Sequence, residues 1–241
     1  MGRLIKFLGV ILAFSTIGTV RAAEVHDFHA AVTDAYSHYR EASFYIHTGN
    51  PGVAALELQS LSDKWKDLAA KFSANPPSIY STDGKWGATL AEIDKRIEQG
   101  MGAANDGDLK AAKSELGPIR SLLADLRKRN GVISFSDLVD NANKAYDALY
   151  HFRHEPPDFS KPESVDGARR ALSIVQYWYQ RCLDEAPEQY AKQPLFQRLV
   201  EDSVQSLNRA WDALNKKQQK RFINILREVR ASDRMLFLRY G

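Results

Sequence analysis

The six histidines are His26, His29, His38, His47, His151 and His154, and all of them precede Glu155. Two pairs share one spacing, His26-Asp27-Phe28-His29 and His151-Phe152-Arg153-His154. Histidines three apart on a helix project the same way and offer two imidazole nitrogens to zinc or copper. One pair opens the first helix set out below and the other closes the fifth, so an antiparallel arrangement of those helices would gather His26, His29, His151 and His154 around one metal ion. The opposing expectation is exposure, because Asp140, Asp147, His151 and His154 fall opposite the apolar stripe of their helix. A second group, Asp34, His38, Glu41 and Tyr45, lies at one-turn spacing on a flank of the first helix. Di-iron bundles place Glu-x-x-His on facing helices, and the chain contains no Glu-x-x-His. A row of surface hydrogen bonds is the expectation there.

A rigid segment, His154-Glu155-Pro156-Pro157-Asp158-Phe159-Ser160-Lys161-Pro162, has the prolines of an extended backbone. It precedes a helix that carries Tyr177 and Trp178 beside its apolar seam. A loop held over an aromatic shelf would make Glu155, Pro156, Pro157, Phe159, Tyr177 and Trp178 a partner or ligand surface; ordinary packing of a long connection is the alternative. Lys216, Lys217, Lys220, Arg221, Arg227, Arg230, Arg234 and Arg239 face only Glu228 and Asp233 along the last helix. That excess reads as a solvated face, or as a contact for an acidic partner or anionic lipid. Trp65, Tyr39, Trp86 and Trp211 fall on seams and read as core, and the single Cys182 reads as a small buried thiol. Gly-x-Ser-x-Gly, His-Glu-x-x-His, a phosphate-cradling glycine loop and cysteine pairs are missing, so the expectation is a protein that is not an enzyme.

The elements that must position these residues are helical. Between Phe28 and Asn130 a pair of helices is written twice at a shift of 58 positions. The stripe Phe28, Val32, Ala35, Tyr39, Ala42, Ile46 falls on Trp86, Leu90, Ile93, Ile97, Gly100, Ala104, and Gly49-Asn50 falls on Gly107-Asp108. Ala54, Leu58, Leu61, Trp65, Leu68 then fall on Ala112, Leu116, Ile119, Leu123, Leu126. Spacings of three and four mark one buried face of an α-helix, so each copy reads as an antiparallel hairpin. The expected helices run from about Asp27 to Thr48, from Pro51 towards Asn75, from Lys85 to Asn105, and onward to Asn130 with a kink or late start at Pro118. Four more are expected over Ser134 to about Leu149, Ser164–Asp184, Pro194–Leu214 and Lys217–Met235, with Leu236 to Gly241 docking behind them. The fold class is all-α: tandem up-and-down four-helix bundles built from repeated helical hairpins, over residues 23–131 and 132–241.

Residues 1–22 read as a cleaved signal peptide. Arg3 and Lys6 precede an apolar run from Phe7 to about Val20, and small residues flank a cleavage site after Ala22. Cleavage removes Arg3, Lys6 and Arg21 and no acid, which takes the formal net charge from +3 to zero. A neutral mature chain argues against nucleic acid as partner. The expected location is periplasmic or secreted.

The Gly107-Asp108 turn, the alanine and leucine seams, the export leader and a last helix running to Arg239-Tyr240 together resemble the class II cytochromes, the cytochrome c′ and c556 type. That family attaches haem through Cys-x-x-Cys-His on its last helix. Laid on Ile225-Leu226-Arg227-Glu228-Val229, the family's pattern puts Asp233, Leu236 and Phe237 at the two cysteines and the histidine, and Arg127-Lys128-Arg129 ends the fourth helix. The haem-attachment motif is absent, so the resemblance implies common ancestry and an exported compartment rather than electron transfer. The function expected is that of a non-catalytic binding or accessory protein of the cell envelope, its partner another envelope protein or a small ligand. Periplasmic copper or zinc handling, and non-covalent haem or hydrophobic-ligand binding, are the alternatives.

Overall fold

The computed structural model describes residues 12–241, with side chains from Ala23 onward. These residues form α1 (Leu12–Thr48), α2 (Pro51–Phe72), α3 (Trp86–Asn105), α4 (Leu109–Arg129), α5 (Phe135–Tyr150), α6 (Pro162–Asp184), α7 (Glu188–Ala191), α8 (Pro194–Asn215) and α9 (Gln219–Tyr240). Single 3-10 turns occupy Ser78–Tyr80 and His151–Arg153. No strand occurs among the described residues, and the fold is all-α. The start of the expected leader, with Arg3, Lys6 and Phe7, lies outside the described residues. No described helix is long and apolar enough to cross a membrane.

Two compact units divide the chain, the first ending at Val132 and the second running from Ile133 to Gly241. In the first unit α2 packs on α1 and α3, and α4 packs on α3 and α1, which closes a ring of four helices. The two repeated stripes line the inside of that ring. Phe28, Ala42, Leu58, Trp65, Ile93, Ile97, Leu116 and Leu126 are all at least nine-tenths buried. Trp65 and Trp86 bury their rings and donate from Nε1 to the carbonyls of Leu90 (3.3 Å) and Phe72 (3.1 Å). In the second unit α6 packs on α5 and α8, and α9 packs on α8 and α5.

Each unit is closed by aromatic rings in corresponding places. In the first, Phe28 touches Phe72, Tyr80 and Trp86 with centroids 5.0–5.4 Å apart, Tyr80 coming from the connection between the second and third helices. In the second, Tyr190 comes from the connection between α6 and α8 and meets Phe135 (5.6 Å) and Tyr240 (5.2 Å), while Phe196 meets Tyr240 at 5.1 Å.

Several element ends differ from the expected ones. Helix α1 reaches back to Leu12 because no proline interrupts the backbone before Asp27. Helix α4 runs through Pro118 without a late start. Helix α9 does not stop at Met235: Leu236 and Tyr240 stay on its buried face, and the Tyr240 hydroxyl donates to Gln193 Oε1 at 2.9 Å.

The turns repeat more closely than the helices do. Gly49, Gly107 and Gly131 take φ of +80°, +78° and +68°, and the next residue's amide reaches back to the carbonyls of Tyr45, Ala103 and Arg127, each at 2.9 Å. This is the Schellman closure, in which glycine tolerates the left-handed backbone. Asn50 and Asp108 then cap the following helices by accepting from Val53 N (3.2 Å) and Ala111 N (2.9 Å). The turn from α8 to α9 makes the same bond, Gln218 N to Ala213 O at 2.8 Å, but Lys217 holds the left-handed position at φ +55°. Gln218 makes no side-chain cap there. Replacing Lys217 with Gly is therefore expected to raise unfolding free energy by about 1 kcal/mol. Chemical denaturation checks this; an unchanged or lowered midpoint would contradict it.

Candidate binding surface of the second unit

A polar knot sits inside the second unit where α5, α6 and α9 meet. Asp233 is 2% exposed, at the place where the cytochrome pattern would put a cysteine. Its Oδ1 accepts from Asn143 Nδ2 at 2.7 Å and from the Tyr179 hydroxyl at 3.2 Å, and Asn143 Nδ2 also reaches the Asp233 carbonyl at 3.1 Å. Arg230 Nη1 stands 3.6 Å from Asp233 Oδ2 but is shared with Asp147 Oδ1 at 2.5 Å. Burial outweighs these contacts and pushes the Asp233 carboxyl up to about 7. Cys182 lies in the same region, fully buried, and desolvation pushes its thiol up to about 12, which suits packing and not nucleophilic chemistry. Asn143, Tyr179, Cys182 and Asp233 are enclosed by helices, while Arg230 is half-buried and carries the network out to the exposed Asp147, so the knot's role is structural: it ties three helices in one register.

The surface chemistry lies at the opposite side of α9. Lys220, Arg227 and Arg234 are exposed and spaced by seven residues, two helical turns, so they form one line along α9 with steps of roughly 10 Å. Arg221 and Glu228 flank the line, Glu228 being held by Arg209, and the exposed Asn224 and Ala231 fill the strip between its members. Among the described residues no carboxylate pairs with Lys220, Arg221, Arg227 or Arg234, whereas Arg209 pairs with Glu228, Arg181 with Glu185 and Lys216 with Asp212. The cations grouped along the sequence thus differ in role, Lys216 pairing with Asp212 and Lys217 standing at a turn. Arg230 points inward to Asp147 and Asp233, and the line of three points outward.

Near the start of α9 a cleft of about 290 Å³ opens between the first turn of α6 and the end of α8. Phe159, Pro162, Val165 and Leu214 give it an apolar floor, and Asp166, Arg169, Asn215 and Lys217 stand at its rim. Arg169 holds Asp166 Oδ1 and Asn215 Oδ1, each at 3.2 Å. The sequence reading missed this cleft because its two walls lie about fifty residues apart. The trace it left was Lys217, standing where the other turns carry glycine.

The expected loop-and-shelf surface is divided in this structure. Phe159 packs beside Val165, thirteen residues before Trp178 and so about 20 Å away along the helix. Pro157 is buried, Pro156 half-buried, and Glu155 is exposed beside His151 Nε2 at 3.2 Å. Tyr177 is exposed, Trp178 is half-buried against the core, and their rings meet at 5.0 Å under the Arg181 guanidinium.

The histidine pairs fall in different units, and no group of three His, Cys, Asp or Glu able to hold a metal ion occurs among the described residues. His29 Nε2 is 3.2 Å from the Tyr80 hydroxyl, His26 is mostly exposed beside Asp27, and His154 Nε2 lies against the Arg153 guanidinium, which repels a cation. In the flank group, His38 Nδ1 meets Glu57 Oε2 at 2.8 Å and Asp34 meets Lys64 at 2.8 Å, so these residues tie α1 to α2. No family model, curated protein or solved structure matches the chain.

Proposed function

We propose that the chain is an exported, non-catalytic binding protein of the cell envelope, built as tandem up-and-down four-helix bundles that resemble the class II cytochromes without their haem attachment. Its second bundle docks an acidic protein along α9. The observation that carries this reading is the outward line of Lys220, Arg227 and Arg234, left without carboxylate partners among the described residues. A partner helix with acids at the same two-turn spacing matches it charge for charge, and such complementarity governs association rate and register. Anionic lipid is the weaker match, because helices that settle into a membrane interface need large apolar residues beside their cations. Here Asn224 and Ala231 stand between the cations instead.

The supporting argument for export is the leader pattern at residues 1–22, and for tandem bundles the repeated stripe, turn and aromatic closure. The test is in-cell photo-crosslinking with the full-length chain carrying a photoreactive residue at Arg227, and at Ser173 on α6 as comparison. The expected result is a discrete protein adduct from position 227 alone, on a chain whose intact mass begins at Ala23. Equal labelling from both positions, or an adduct on uncleaved chain in the cytoplasm, would contradict the proposal.

A further inference from the structure

The geometry points to a second binding site, independent of the α9 line: the cleft at the α6 and α8 ends takes a small amphiphilic monoanion, a carboxylate carried on an aromatic ring or short alkyl chain. Neither Arg169 nor Phe159 belongs to the line, so the two readings stand or fall apart.

The floor fixes the apolar half. Leu214 and Val165 are 1% and 8% exposed overall, yet both contribute wall to an open cleft, with the Phe159 ring beside them. Water against such a floor is released when an apolar group covers it. A volume of about 290 Å³ sits at the lower edge of small-molecule sites, which sets the size at a single ring or a chain of a few carbons.

The rim fixes the charged half. Arg169 makes one bond to Asp166 and one to Asn215, both at 3.2 Å, the long end of the range, and neither is a two-pronged carboxylate grip. A ligand carboxylate offers that grip and displaces the weaker neutral acceptor, Asn215. Lys217 supplies a second cation that has no carboxylate partner among the described residues. Against these two cations stands only Asp166, so the rim balances one negative charge, and a dianion such as inorganic phosphate meets repulsion from Asp166. Lys217 also holds a left-handed φ of +55° where the three sister turns use glycine, which places a cation at a position where backbone preference alone favours glycine.

The experiment is a titration of the full chain, followed by amide chemical shifts, with 4-phenylbutyrate, its neutral amide and inorganic phosphate. The expected result is that shifts concentrate at Val165, Arg169, Leu214 and Lys217, that the acid binds about tenfold tighter than the amide, and that phosphate does not displace it. Arg169→Gln erases the preference for the acid, while Phe159→Ala weakens acid and amide alike. Should Arg169→Gln fail to fold, Lys217→Gly serves instead, since it relieves the turn and is expected to cut the preference by roughly threefold. Shifts that are absent or scattered up to about 10 mM acid, equal binding of acid and amide, displacement by phosphate, or a preference that survives both rim variants would overturn the assignment.

Discussion

Replacing Asp233 with Asn is expected to stabilise the protein increasingly as pH rises. In the folded chain the Asp233 carboxyl keeps its proton to about pH 7, against 3.8 for an ordinary aspartate, chiefly because burial penalises its charge. Asn143, Arg230 and Tyr179 favour the charged form but do not offset that burial, and Asp147 adds repulsion. Between the two values the folded state binds more protons than the unfolded one, so this carboxyl's stabilising contribution is whole below about pH 4 and is lost as pH climbs to about 7. Asn presents the same acceptor to Asn143 and Tyr179 and has no proton to lose. The difference in unfolding free energy between variant and wild type should therefore grow with pH, at up to about 1.4 kcal/mol per pH unit, to a total on the order of 4 kcal/mol, and then level off above pH 7. Denaturant titrations of both proteins from pH 4 to pH 8 give the difference directly, free of the contributions they share. Parallel curves would show that Asp233 is ionised in the fold and that the knot holds a true ion pair with Arg230.

Gly100→Val is expected to destabilise the first unit by about 3 kcal/mol, against the small gain in helix preference that removing a mid-helix glycine brings. An added Cβ at Gly100 would lie 2.7 Å from Leu116 Cγ and 2.8 Å from its Cδ2, and Leu116 is 2% exposed. The corresponding pair in the first copy is Ala42 and Leu58, where a Cβ is already present. Leu116→Ala alone should cost about 3 kcal/mol through the cavity it leaves. Combined, the two substitutions should be less damaging than their sum by about 1–2 kcal/mol, because each makes room for or fills the other. Strict additivity would mean that the helices shift apart instead of meeting at Gly100.

Much of the fold was legible because burial and spacing speak through the same residues. The two stripes of the repeat, read at three and four, are the residues that line the first ring, and Gly49 and Gly107 mark turns that only a positive φ closes. What escaped were features set by sequence-distant neighbours. Short helix α7 has no stripe of its own and exists to bring Tyr190 onto Phe135 and Tyr240. Asp233 reads as an ordinary charge in a basic helix, and only the packing of α5 and α6 against α9 makes it a buried acid. The aromatic pair Tyr177 and Trp178 was correctly read as lying beside the seam, but the helical rise separates it from Phe159, a distance that residue types alone do not convey. The histidine pairs show the converse: a spacing suited to metal occurs in each unit, while the partners around His29 and His154 are a tyrosine hydroxyl and a guanidinium.

The most direct measurement of the central proposal is the yield of the Arg227 photo-adduct in three backgrounds: unaltered, Lys220→Glu with Arg234→Glu, and Lys220→Arg with Arg234→Lys. Docking through a line of charge predicts that the first and third label alike and that the second loses at least nine-tenths of the adduct, a drop of about 1.4 kcal/mol or more. Undiminished labelling in the charge-reversed background would contradict it and place the partner's hold elsewhere on the molecule.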